Sequence, residues 1–258
     1  MIKPTMGIQL YTLRDYIQNA QDFDSTLARL SKMGVKDIQI SGIGDIPARE
    51  QAEIIKKYDM KVCVTHKSFE RMLTDLDTMI EEHRTIGCTN LGIGSAPDNA
   101  RGTEENVRRF IEQANEIGRK LKENGMSFNY HNHDFEFKRL ENSEYSMMDL
   151  MLKESDPEVF NFIPDVAWID YAGKDPVEIM KKMQGRVKVL HFKDYIPFEN
   201  GGKSFTSLGK GKVDLKACYE AAKELEIPFI VYEQDTDWVD GDPFKSSEES
   251  WAFMNTLD

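Results

Sequence analysis

Short β-branched or apolar runs alternate along this chain with longer amphipathic, charged segments, and so regular an alternation allows few architectures. The extended runs are residues 6–10, 35–40, 61–65, 90–93, 127–133, 160–165, 187–192 and 229–233. Each is followed by a helical pattern, the signature of repeated βαβ units. Eight is the number of strands that closes a parallel barrel, so the expected fold is α/β, a single (β/α)8 barrel.

The helical patterns cover residues 24–33, 48–58, 69–86 and 103–124, then, more weakly, 146–154, 176–183, 214–225 and 245–257. Gly34, Gly87 and Gly125 stand where a left-handed residue stops a helix, and Pro176 fits a first helical turn. No shift in composition and no Pro/Ser-rich linker divides residues 1–258, so one domain is the simplest account. The one long connection, 193–212, contains Gly201, Gly202, Gly209 and Gly211; connections of this length are usually functional, often as lids.

Composition excludes several classes. A formal net charge of −12 argues against nucleic acid or another polyanion as partner, because such affinity rests on Lys and Arg. No apolar run approaches the roughly 20 residues that span a bilayer. The N-terminal stretch has neither an apolar core nor a small-residue cleavage site, so a cytoplasmic location is expected. Cys63, Cys88 and Cys218 show no paired spacing, which fits reduced thiols. A small ligand or a metal is the partner that remains.

In a parallel barrel the chemistry sits at the C-terminal ends of the strands, and nearly every strand here ends in a polar residue. Gln9, Gln39, His66, the stretch His133 to Glu136, Asp165, His191 and Glu233 occupy those ends in order. The segment Asn129 to Phe137 is unusually polar for a strand. Glu136, Asp165, His191 and Glu233 would present three carboxylates and one imidazole to a common point. A mainly oxygen set suits Mn²⁺ or Mg²⁺, with Co²⁺ or Zn²⁺ as alternatives. A sugar with adjacent carbonyl and hydroxyl oxygens could chelate such an ion, making the neighbouring C–H acidic. Glu136 and Glu233 would then remove and return the proton. Return to the opposite face is epimerisation, and return to the neighbouring carbon is aldose–ketose isomerisation.

Asn132, Asp134 and Glu136 alternate with His131, His133 and Phe135, so if strand parity held, Glu136 and His133 would lie on opposite faces. Parity lapses once the strand ends, so either could approach the ion.

The runs Tyr130-His131-Asn132-His133-Asp134-Phe135-Glu136-Phe137, Asp165-Val166-Ala167-Trp168 and Ala172-Gly173-Lys174-Asp175-Pro176 closely resemble the sugar phosphate isomerase/epimerase family, as do Gly185-Arg186, His191-Phe192-Lys193-Asp194, Gly209-Lys210-Gly211-Lys212-Val213-Asp214 and Val231-Tyr232-Glu233-Gln234-Asp235. Gly7 to Asp15 resembles that family's first strand. The resemblance covers essentially the whole chain and belongs to the xylose isomerase-like TIM barrel superfamily. It implies a Glu-Asp-His-Glu metal site on Glu136, Asp165, His191 and Glu233, with Lys193 and His133 as acid/base or substrate residues and His66 as a substrate contact; Gln9, at the end of the first strand, is a further candidate for substrate binding. Ketose 3-epimerases of the family carry a His where this chain has Trp168, which offers instead an apolar wall to a sugar face. No phosphate-cradling pattern is visible, and Arg186 and Lys210 are isolated cations, so an unphosphorylated sugar, keto-sugar or glycoside is as good a substrate as a sugar phosphate.

The primary expectation is therefore a divalent-metal-dependent sugar isomerase or epimerase of carbohydrate metabolism. The alternative is a lyase or dehydratase of keto-sugars, keto-glycosides or inosose using the same deprotonation. A DNA-repair endonuclease would need more than five histidines and a basic groove, and a non-catalytic sugar-binding barrel would be expected to lack one of the four ligands. Barrels of this type often dimerise, so a homodimer stands beside the monomer as an expectation.

Overall fold

Why the apolar runs become strands is clear once they are placed in the computed structural model, which describes residues 2–257. Each run is flanked by helices and can bury both of its faces only in a closed parallel sheet. The strands are β1 (Thr5–Gln9), β2 (Asp37–Ile40), β3 (Lys61–His66), β4 (Asn90–Ile93), β5 (Ser127–His131), β6 (Phe160–Ile163), β7 (Val189–Phe192) and, late in the chain, β10 (Phe229–Tyr232). Their order is β6-β5-β4-β3-β2-β1-β10-β7, all parallel. Parallel bridges from Phe162 to Val187 and from Asp165 to His191 join the two ends, so the sheet closes into the expected barrel.

Phe128, Tyr130, Leu190, Phe192, Ile230 and Tyr232 face outward into the large apolar core, whereas Ile163, Val189 and Val231 belong to a small separate cluster with Cys63 and Val64. The alternation follows from the period of two along each strand. A register shift between Ile38 and Gln39 opposes β3, and Cys63 occupies it with its Sγ 3.3 Å from the Ile38 carbonyl. All three cysteines are free and buried, and burial pushes the Cys88 and Cys218 thiols up to about 12.

The helices differ from expectation where polar side chains intervene. Residues 69–86 form two helices, α3 (Phe69–Thr74) and α4 (Leu76–Ile86), because Asp75 leaves helical geometry and its carboxylate pairs with Arg71 at 3.1 Å. A short helix, α7 (Val166–Tyr171), starts directly after β6 because Asp165 caps it. The expected glycine stops are present, with φ of +87° at Gly34, +69° at Gly87 and +71° at Gly125. No helix among the described residues is long and apolar enough to cross a membrane.

The long connection after β7 is an ordered hairpin of β8 (Asp194–Pro197) and β9 (Lys203–Thr206), not a loose lid. Its organiser is the fully buried Asp194. The carboxylate accepts backbone N–H bonds from Tyr195 (2.9 Å), Gly209 (3.0 Å), Gly211 (2.9 Å) and Val213 (3.1 Å). A Cβ on Gly211 would lie 2.2 Å from an Asp194 oxygen, which is why a glycine stands there. The Gly209-x-Gly211 pattern thus serves an internal carboxylate. In Asp194→Asn an amide N–H₂ replaces one accepting oxygen; we expect a loss of about 3 kcal/mol in urea unfolding and new protease cleavage between residues 203 and 213.

A second buried polar device is His83 on α4, whose ring contacts Thr65 Oγ1 (2.8 Å) and the Met79 carbonyl (2.6 Å). Burial lowers its pKa from 6.5 to about 4. The folded state therefore prefers the neutral ring, and the unfolded chain binds the extra proton between these values. Stability is complete above pH 6.5 and falls as the pH drops toward 4, by about 3 kcal/mol. Urea titrations at pH 7 and pH 4.5 should show this component in the wild type and its absence in His83→Gln.

Candidate metal centre and active-site cavity

At the C-terminal ends of the strands the ladder stops while the chain still carries polar residues, so those side chains turn into the mouth of the barrel. Ligand atoms of four buried residues, His131, Asp165, His191 and Glu233, all lie within 4.8 Å of one another. They come from β5, the turn after β6, β7 and the residue after β10. The cluster could hold a metal ion.

Three of the four expected ligand residues are brought together, and Glu136 is not. Its carboxylate, also fully buried, accepts from the Tyr130 hydroxyl (2.7 Å) and the His133 backbone N–H (2.8 Å) in the turn after β5. Burial raises its pKa. Strand β5 ends at His131, and the chain then coils, which carries Glu136 away from the cluster. Because Phe128 and Tyr130 face the outer core, Asn129 and His131 point into the barrel; the period of two in the strand itself was the signal that selects His131.

Each member is held with its free electron pair toward its neighbours. His131 Nδ1 lies 3.0 Å from the Gly94 carbonyl, which can only accept, so the proton sits there and Nε2 faces the cluster. His191 Nε2 lies 2.7 Å from Gln39 Oε1, leaving Nδ1 turned inward, 3.0 Å from Glu233 Oε2. Asp165 Oδ1 accepts the N–H groups of Ala167 and Trp168, each at 3.0 Å, and Oδ2 is left for the cluster. Such outer partners are what fixes metal-binding imidazoles and carboxylates in place.

Lys193 is 1 % exposed and its ammonium lies 3.2 Å from Asp165, 3.0 Å from Glu233 and 2.9 Å from Asp235. Burial alone would lower the lysine pKa, but the three carboxylates raise it well above the usual range. Burial likewise would raise Asp165 and Glu233; Lys193 outweighs it, holding Asp165 at about 2 and Glu233 well below the carboxylate range. Burial dominates at Asp235 and raises it. For His131, burial is outweighed by Asp165 and Glu233, so its pKa rises. That proton and a cation would compete for the same Nε2 lone pair. Three carboxylates around one ammonium carry an excess of two negative charges when ionised, which a divalent cation would balance.

A cavity of about 500 Å³ opens onto the cluster and is lined by His66, His131, His133, Lys193, Glu233 and Asp235 on the reacting side and by Tyr11 and Ser41 near the first strands. His66 stacks on His191 with centroids 5.6 Å apart, and burial with His131 holds it neutral. Burial pulls His133 down to about 3, and its ring lies 5.2 Å from that of Trp168. Seven buried side-chain polar atoms among the described residues lack a partner, and five of them, on Gln9, Gln39, His66, His133 and Trp168, belong to residues at this end of the barrel. Polar groups left without a protein partner at this end of the barrel are available to a ligand or to water. Arg186 and Lys210 are engaged elsewhere, with Phe160, Ser155 and Glu249, and do not reach the cavity. Asp235 and Tyr11 were not singled out from the sequence. The acid two residues beyond a strand-end ligand was the available cue for the first; nothing distinguished the second.

Residues 27–257 match the pattern of the family described as Xylose isomerase-like TIM barrel. The chain belongs to the xylose isomerase-like TIM barrel family. Among its relatives is an inosose dehydratase of Lacticaseibacillus casei, 26% identical over 173 residues, 61% of this chain and 57% of that protein. This xylose isomerase-like barrel thus spans about half the length of the curated relatives it matches. In fold it is similar to a sugar phosphate isomerase/epimerase from Parabacteroides distasonis (TM-score 0.84, 24% identity, 98% of this chain and 94% of the other). It is also similar to a xylose isomerase-like TIM barrel protein from Mycobacterium smegmatis in complex with magnesium (TM-score 0.72, 14% identity, 98% and 95% covered).

The different placements of His131 and Glu136 separate in a metal titration. His131→Ala should weaken Mn²⁺ binding by more than about tenfold, while Glu136→Gln leaves it within about threefold and lowers stability instead. Calorimetric titration of both folded variants reads the difference.

Proposed function

We propose that this protein is a divalent-metal-dependent enzyme that removes a proton next to the carbonyl of a sugar or keto-sugar. The observation that carries this reading is the inward-facing electron pairs of His131, Asp165, His191 and Glu233, opening on a cavity that also holds a buried lysine and a second carboxylate. Two nitrogens and two oxygens form a more mixed set than the sequence alone indicated, which favours Mn²⁺, Co²⁺ or Zn²⁺ over Mg²⁺. When bound, the ion would polarise the substrate carbonyl.

The chain's own residues supply the proton transfers. Asp235 lines the cavity, and burial makes it the more basic of the two acids that follow β10. It is the proposed proton acceptor, within reach of the substrate carbon once Lys193 turns toward the bound oxygen. Lys193 is the proposed proton donor and anion stabiliser. Gln9, His66 and His133 offer unpaired polar atoms to hydroxyls, and Trp168 offers a wall.

Whether the proton returns or a substituent leaves depends on what faces the acids across the cavity. Inversion needs a second base on the opposite wall. With Glu136 turned away, the strands across the barrel from β10 present His66 and His133 to the cavity, and burial disfavours the protonated form of both rings. Glu233 and Asp235 both follow β10 and share one wall. This one-sided arrangement favours elimination, with Asp235 taking the proton and Lys193 protonating the departing oxygen, over epimerisation. The dehydratase names of the matched relatives agree with it. Isomerisation or epimerisation is the second reading, supported by the structural neighbours' names.

The test is product analysis by NMR in deuterated buffer across ketoses, inososes and keto-glycosides with and without Mn²⁺. An enone or a released alcohol supports elimination, and an isomer carrying deuterium supports the second reading. Asp235→Asn should lower kcat by about 10²-fold or more with folding intact. Turnover that survives complete chelation would overturn the proposal.

A further inference from the structure

The two imidazoles of the cluster are held from outside by different kinds of partner. His131 Nδ1 faces the Gly94 carbonyl at 3.0 Å, and a carbonyl only accepts, so that nitrogen always carries a proton. His191 Nε2 faces the side-chain amide of Gln39 at 2.7 Å, and an amide has one accepting end and one donating end. Little else fixes which end is presented. Gln39 is fully buried, its Oε1 is bonded to His191, and its Nε2 has no partner among the described residues. The two ends are nearly the same size, so turning the amide over exchanges one hydrogen bond to His191 for another and needs no extra room.

The reason to turn lies on the other side of the ring. His191 Nδ1 is 3.0 Å from Glu233 Oε2, and the Lys193 ammonium, 3.0 Å from the same oxygen, keeps that carboxylate ionised and therefore an acceptor only. As it stands, with Gln39 Oε1 on one side and Glu233 on the other, the ring lies between two acceptors. Burial disfavours the doubly protonated ring that would serve both, and a neutral ring has a single N–H. A cation at Nδ1 removes the conflict: the N–H is then at Nε2 and the accepting end of Gln39 is the right one. That is the end turned to His191 in this structure. In the cation-free protein the N–H belongs at Nδ1, donating to the charged carboxylate, and Nε2 then needs a donor, which the other end of Gln39 supplies.

We infer that Gln39 is a positioning residue that acts through His191 by turning its amide end for end as a divalent cation binds. His191 carries its proton on Nδ1, toward Glu233, before loading and on Nε2, toward Gln39, afterwards. The charge of the ring is unchanged, since Nδ1 gives a proton to water and Nε2 takes one from water. His131, set against a carbonyl that cannot turn, keeps its Nδ1–H throughout. The inference rests on the reading of the cluster as a cation site, and adds that one of its two imidazoles is locked for the ion while the other adapts to it.

The experiment is ¹⁵N NMR of the imidazole nitrogens in the metal-free protein and after addition of Zn²⁺, which is diamagnetic, with Zn²⁺ affinity measured by calorimetry. In the wild type the His191 proton should move from Nδ1 to Nε2 on loading. Gln39→Glu has a carboxylate that only accepts, so its His191 should carry the Nε2 proton before any Zn²⁺ is added, and it should bind Zn²⁺ at least as tightly as the wild type. Gln39→Met offers neither end and should bind about tenfold more weakly. A wild-type ring that already carries its Nε2 proton in the metal-free protein, alone or together with Nδ1, would overturn the inference without any variant, and so would a Gln39→Met protein of unchanged affinity. In either case Zn²⁺ binding by the wild type leaves the cation site standing. If the wild type binds no divalent ion, the cation reading itself falls.

Discussion

The molecule depends on where its sheet closes. Seven neighbouring strand pairs are joined by continuous ladders, but β6 and β7 meet through two isolated bridges, from Phe162 to Val187 and from Asp165 to His191. The second of these joins two members of the cluster that could hold a metal ion. The His191 N–H donates to the Pro164 carbonyl at 2.9 Å, and the Asp165 N–H donates to Asn132 Oδ1 at 3.1 Å. Backbone closure and site assembly are therefore one event. An imidazole and a carboxylate from distant parts of the sequence are set side by side by the hydrogen bonds that complete the ring.

Electrostatics then decides what that seam can hold. Carboxylates removed from water need positive partners, and here one lysine serves three of them. The imidazoles share in the balance unequally, since Asp165 and Glu233 favour the protonated form of His131 whereas burial disfavours that of His191. The result is a pocket rigid in its donors and short of positive charge, a suitable receptor for a small divalent ion and for an oxygen-rich substrate.

The fold was legible because each apolar run of the sequence could satisfy itself only in a closed parallel sheet, and eight runs define the ring. Strand ends were displaced by one or two residues wherever a polar residue follows the last apolar one, as at Asp165 and Glu233, because the side chain leaves the ladder to enter the site. The break at Asp75, the six-residue helix after Asp165 and the hairpin of β8 and β9 were not legible, since each depends on a side chain capping or gathering backbone groups rather than on apolar periodicity. In the site, the sequence marked Asp165, His191, Glu233, His133, His66 and Lys193 at the right face of the barrel. It put Glu136 in the place of His131, because strand parity holds only while the strand lasts and the sequence does not announce that β5 stops at residue 131.

The gathering of N–H groups on Asp194 has a consequence for how the region moves. Asp194 is covalently next to Lys193, so the carboxylate that folds the hairpin and the ammonium that faces the cavity share one peptide bond. Local opening of residues 209–213 would release that carboxylate and free the backbone that aims the lysine. Opening of the hairpin and displacement of the pocket's ammonium are thereby coupled through Asp194, so the amides it holds, at residues 195, 209, 211 and 213, would exchange with solvent as one group.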